Sequence, residues 1–251
     1  MNITQLINAN NSSISGNLTG AQTSAQATAK VGPVSPALKK ADARIQSQSD
    51  TTRAQLSMFG KLKSSVSEVQ LAARKFSAFT VMSPIADVKI ATHSFLAAFN
   101  AAINAAKATA AVAGGSLAQT SSANRVSRDL GKSVSADTPL LDSLKKIGVK
   151  QLSDGTLSLD AAKFDAAQKA DPAAVQSTLS KIGQLVDKTA TRELASGGNV
   201  DGSMALLNQR STALKAQQNA LLAMDQTLSA AQSTPSSGYV GYGLAAYRAK
   251  Y

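Results

Sequence analysis

Apolar residues recur every seven positions at both ends of this chain. Near the C-terminus Leu207, Leu214, Leu221 and Leu228 share one lane. Near the N-terminus one lane reads Leu38, Ile45, Thr52, Phe59, Val66, Ala73. A second, three residues on, reads Ala41, Gln48, Gln55, Leu62, Val69, Phe76. A repeat of 3.5 residues keeps one seam turned toward a partner helix and supercoils the pair left-handedly. Gln and Thr in such a seam weaken the pair but help to fix its register. The two ends are therefore expected to lie alongside each other, antiparallel, as one elongated stalk. Leu38, Ile45, Phe59, Leu62, Val66, Val69, Leu207, Leu214, Leu221 and Leu228 are the candidate interaction residues.

Start and stop signals divide the rest. Ser35-Pro36 opens a long helix, since serine caps a helix and proline suits its first turn. The heptads carry that helix to about Phe79, through a single Gly60. Ser83-Pro84 opens a second helix with a stripe at Ile85, Val88, Phe95, Phe99 and Ile103, ending near Gly114-Gly115. The Ser-rich stretch 116–135 predicts only a helical turn or two. Leu140, Leu141, Leu144 and Ile147 form the face of a short helix ended by Gly148. Val149–Leu152 and Thr156–Leu159 alternate around Ser153-Asp154-Gly155, the pattern of a small β-hairpin. Asp160 then caps a helix containing Phe164, and Asp171-Pro172 starts another with Val175, Leu179, Ile182, Leu185 and Val186. After Ser196-Gly197-Gly198, Asp201 or Ser203 caps a last long helix that Ser233-Thr234-Pro235 stops.

The segments expected are an arm over 1–35, the long and second helices over 36–135, and a small mixed region with the hairpin over 136–190. A C-terminal long helix follows over 191–232, then a Gly/Tyr tail over 233–251. The arm is rich in Asn, Ser, Thr and Gln and buries too little to offset its ordering entropy. The fold class is mainly α: a long antiparallel helical coiled-coil or bundle stalk, a small helical subdomain containing a β-hairpin, and disordered termini.

Composition narrows the function. Aromatics make up 4% of the chain and tryptophan is absent, while alanine is abundant, which favours thin helical bundles over a thick core. The formal charge of +11 is dispersed, with no run of five cations, as on a solvated helix face rather than a nucleic-acid patch. With no cysteine, disulfides, thiolate catalysis and cysteine-held metals are excluded. The start, MNITQLINANNSSISG, lacks the basic and apolar regions of a cleaved signal peptide, and no apolar run is long enough to span a membrane. Asp154, Asp160, Asp165 and Asp171 lack the spacing of a calcium loop and read as turn and cap residues. The lone His93 reads as a helix-surface residue. No phosphate loop, nucleophile turn or zinc motif is present, so no catalytic residue, cofactor or metal is expected and the chain reads as a non-enzyme.

Four stretches resemble the flagellar filament cap protein family, also called flagellar hook-associated protein 2. MFGKLKSSVSEVQLAARKF (58–76) looks like its N-terminal helix, and FLAAFNAAINAAK (95–107) like its Phe-Val-x-Ala-Tyr-Asn segment, with Phe99 in place of Tyr. LLDSLKKIGVKQLSDGTLSLDAAKFDAAQKADPAAV (140–175) is similar to its Leu-x-x-Ile-Gly … Asp-Gly-x-Leu-x-Leu-Asp … Asp-Pro-x-x-Val signature. ELASGGNVDGSMALLNQRSTALKAQQNALLAMDQTL (193–228) looks like its C-terminal helix after a Ser-Gly-Gly turn. Family members carry β-rich outer domains between the two helical halves. Here the second helix follows Phe79 directly, so the chain resembles a shortened form lacking those domains. The resemblance implies export by the flagellar type III system, a place outside the cell at the filament tip, and a ring-like homo-oligomer that promotes flagellin insertion. The implied partners are further copies, flagellin, the hook-associated junction proteins and a flagellar export chaperone, with no nucleic acid and no membrane span. The alternatives are another axial component, such as a hook–filament junction protein or minor filament subunit, and a basic helical nucleic-acid-binding module.

Overall fold

The computed structural model describes residues 36–112 and 117–233, with backbone alone at 231–233. The expected N-terminal arm, the Ser35 cap, the Gly114-Gly115 stop and the Gly/Tyr tail lie outside these residues. The fold is mainly α. Helix α1 (Pro36–Lys75) runs into a 3₁₀ turn (Phe76–Ala78), followed by α2 (Ile85–Ala110), α3 (Leu117–Ser135) and α4 (Thr138–Lys146). Strands β1 (Val149–Gln151) and β2 (Leu157–Leu159) come next, then α5 (Ala161–Ala170), α6 (Pro172–Leu194) and α7 (Asn199–Ser233).

Both heptad lanes of α1 turn inward. Thr52, Phe59, Val66 and Ala73 are buried in one, and Gln55, Leu62, Val69 and Phe76 in the other. Forty residues at ~1.5 Å each make α1 about 60 Å long. Its head half, from about Met58 to Phe76, packs against α2 and α6, with α3 closing the bundle. Helix α2 runs antiparallel beside it. The Thr109 hydroxyl donates to the Met58 carbonyl at one end, and Phe76 meets Phe95 at a 5.0 Å centroid separation at the other. Phe95 in turn meets Phe99, and these rings stand in a core made largely of Leu, Ile, Val and Ala. Gly183 of α6 lets two helices touch: a Cβ there would lie 2.6 Å from the Ala73 carbonyl oxygen.

The antiparallel partner of α1 is divided between two helices. Near the head, Gln70 donates to Thr191 and Arg74 pairs with Asp187, both on α6. Further up, Lys63 meets Asp201 on α7, and beyond it α1 and α7 continue as a pair. The stalk is therefore as expected for the free half of α1, whereas α6 covers the head half. Between α6 and α7 the buried Glu193 carboxylate accepts from Asn199 at 2.6 Å and from Arg192 at 3.3 Å. Helix α7 begins at Asn199, earlier than the expected caps Asp201 and Ser203, and its first bond is Gly202 N–H to the Gly198 carbonyl.

The hairpin is antiparallel, with Val149 opposite Leu159 and Gln151 opposite Leu157. Asn100 of α2 bonds it as an adjoining strand would. Its amide donates to the Leu157 carbonyl at 2.8 Å and its oxygen accepts from the Leu157 N–H at 2.7 Å. One expectation needs correction: the stretch 117–135 is a full helix burying Ala123, Val126, Leu130 and Val134. Ser83-Pro84 opens α2 as expected, while the Ser83 hydroxyl accepts from the Thr80 N–H inside the preceding turn. That turn, residues 79–84, is the whole connection between α1 and α2.

Candidate interaction surface

The free end of the stalk carries an open groove. Ala37, Lys40, Ala41 and Ile45 of α1 face Gln217, Leu221 and Met224 of α7 across it. Two helices alone cannot enclose a seam, so Ile45, Leu221 and Leu228 stay half-buried and Met224 is 53% exposed. Leu38 and Leu214 are buried within the pair. The remaining candidates, Phe59, Leu62, Val66, Val69 and Leu207, lie at 0–1% exposure inside the chain's own bundle. The ten residues thus divide: Phe59, Leu62, Val66, Val69 and Leu207 join the core of the bundle, whereas Leu38, Ile45, Leu214, Leu221 and Leu228 lie on the free pair outside that core.

The polar seam positions separate likewise. Gln55 is 2% exposed and neither end of its amide has a hydrogen-bond partner, while Gln48 and Gln217 face solvent and Arg210 is half-buried. Gln48 and Gln217 fall outside because the short free pair buries a narrower stripe than the bundle below. Helix α7 also has a second inward lane of Met204, Ser211, Gln218 and Asp225, with Asp225 buried. Its polar residues concealed it from a reading based on leucines.

Three of the four predicted aspartates, Asp154, Asp160 and Asp171, act as turn and cap residues, whereas Asp165 stands inside α5 and serves an ion pair instead. Asp160 accepts from the Lys163 N–H, and Asp171 from the Ala174 N–H, at the starts of α5 and α6. Asp165 pairs with Lys89 at 2.7 Å. Asp137 caps α4: the Lys181 ammonium, bonded at 2.7 Å, and then the Leu140 N–H hold its carboxyl below its ordinary range. The Thr156 hydroxyl and then its N–H do the same for Asp154, with Lys107 adding its charge. His93 is exposed on α2. Among the described residues no three His, Cys, Asp or Glu side chains group as a metal site, and no helix is long and apolar enough to cross a membrane.

A head of packed helices, a projecting helix pair and a half-open seam define an elongated, mainly helical protein. The sequence model of the flagellar hook-associated protein 2 C-terminus matches residues 69–234, from the last turns of α1 to the end of α7. The chain belongs to that family of flagellum-associated cap proteins, which is structural in kind. No curated protein and no solved structure matches it.

Proposed function

We propose that the protein is a non-enzymatic, cap-like component that oligomerises at the filament tip, outside the cell, and promotes flagellin assembly. The observation that carries this is the free pair of α1 and α7, whose Ile45, Leu221 and Met224 groove is suited to receive another helix. The ten seam residues divide the work. Those inside the bundle hold the stalk straight, Leu38 and Leu214 close the pair itself, and Ile45, Leu221 and Leu228 meet further copies or flagellin. The buried, unpartnered Gln55 amide makes that pair easier to part and re-form, as an exchanging leg requires. The hook-associated junction proteins and an export chaperone complete the proposed partners.

The second reading is another axial component, a junction protein or minor filament subunit. It is favoured by the short 79–84 connection, which leaves no outer plate between the helical halves. Deleting the protein from a motile host and imaging a labelled copy separates the two. A cap predicts shortened filaments and a few copies confined to the tip. Copies along the shaft or at its base support the second reading, and unchanged filaments defeat both. In the same host, Gln55→Leu is expected to strengthen the stalk and slow filament growth; unaltered growth with a stabilised stalk removes the exchange mechanism.

A further inference from the structure

Beside the hairpin, α4, the hairpin turn and the first turn of α5 surround a notch of about 520 Å³, lined by none of the stalk-groove residues. Its wall combines two leucines with three lysines: Leu141 and Lys145 from α4, Lys150 and Leu152 from the hairpin, and Lys163 from α5. Leu152 is 49% exposed at the strand end.

The acids of the surrounding elements are already engaged. Asp142 pairs with Lys145 at 3.2 Å on its own helix. Asp154 is held by Thr156 and lies 3.7 Å from Lys107. Asp160 accepts from the Lys163 backbone as the α5 cap. Among the described residues, neither Lys150 nor Lys163 has an ion-pair partner, so the notch carries uncompensated positive charge. Lys163 stands in the first turn of α5, where Asp160 caps the helix by accepting from its N–H. Gly148, at φ +86°, brings the backbone beside β1 so near that an added Cβ would lie 3.1 Å from the Lys163 Cβ, which fixes the lysine's stem next to the hairpin.

We propose that this notch docks a short acidic segment of a partner protein. A leucine-like side chain seats against Leu141 and Leu152, and flanking carboxylates meet Lys150 and Lys163. Charge complementarity selects an acidic partner over a second copy of this chain, whose own formal charge is +11. The notch presents no aromatic side chain on which a nucleotide base would stack, which selects polypeptide over single-stranded nucleic acid. This site lies beyond the assembly reading and stands or falls independently of it.

The test uses the full chain and a short synthetic peptide of Glu and Asp flanking one Leu. Binding is measured by titration calorimetry across a salt series. Binding is expected to weaken as salt rises. The double variant Lys150→Glu and Lys163→Glu should lower affinity by about tenfold or more. Lys61→Glu with Lys188→Glu changes the net charge equally at exposed positions outside the notch and should leave affinity within about threefold. Leu152→Ser should weaken the peptide but not a matched peptide lacking Leu. Equal losses in both double variants would reduce the effect to overall charge and overturn the site. No binding, or competition by inorganic phosphate or single-stranded DNA at the same concentration as the peptide, would overturn it too.

Discussion

Gly183 shows how a single missing Cβ sets the distance between two helices. Its neighbours are the Ala73 carbonyl and the Phe76 ring, 2.6 and 3.2 Å from where a Cβ would stand. Gly183→Val should therefore push α6 off α1 and cost about 1–3 kcal/mol of stability, read as a lower denaturation midpoint at unchanged slope. Gly60 is the internal control. It sits inside α1 with nothing within 4 Å of its absent Cβ, so Gly60→Ala should be neutral or gain up to about 1 kcal/mol. Equal effects at the two positions would refute close approach as the reason for Gly183. Along the chain the two glycines differ in nothing but their neighbours in sequence. Asn100 was equally hidden, because a polar residue between helix-stripe positions reads as solvent-facing. Only the arrival of β2 beside α2 turns its amide into a two-bond clamp.

At the level of elements, caps and turns were readable because their chemistry is local. Gly148, Asp160 and Asp171 stand where the hairpin and α5 and α6 require them, and the two aspartates act within three residues of themselves. Helix α3 was not readable, since its buried stripe of Ala123, Val126, Leu130 and Val134 is thin and set among serines. Ser83-Pro84 was readable as the start of α2, although the Ser83 hydroxyl serves the 79–84 turn rather than the helix. The local caps carry a pH prediction. Asp137 and Asp154 have carboxyls held below their ordinary value of 3.8 in the folded protein. A carboxyl depressed on folding stabilises the fold above its unfolded pKa, and that contribution is lost as pH falls through the lower folded value. The α4 start and the hairpin turn should therefore remain ordered at neutral pH and loosen only below about pH 4. Amide chemical shifts of Leu140 and Thr156 followed on acidification check this. Movement of both near neutrality would contradict the assignment.

Across the whole molecule, burial falls from head to stalk tip. Phe59, Leu62, Val66 and Leu207 are fully enclosed, whereas Ile45, Leu221 and Leu228 are only half-buried between two helices. Stability should follow that gradient, with amides of 36–50 and 215–230 exchanging well before those of 59–75 and 182–194. Leu207→Ala should cost about 2–5 kcal/mol, and Leu221→Ala under about 2 kcal/mol. Equal costs, or uniform protection along α1, would show that the stalk is not a separately opening unit.

The heptad spacing, the glycine and proline breaks and the capping aspartates specified a mainly α chain with long terminal helices and one hairpin, because helix and turn chemistry acts over a few neighbouring residues. Which helix covers which half of α1 was decided by long-range packing. Glu193 with Asn199 and Arg192 at the α6–α7 break, and Gly183 against Ala73, arise from residues far apart in sequence that meet only once the chain has folded. The lysine-lined notch is of the same kind: its residues are unremarkable along the chain, and the fold alone gathers their charge at one place.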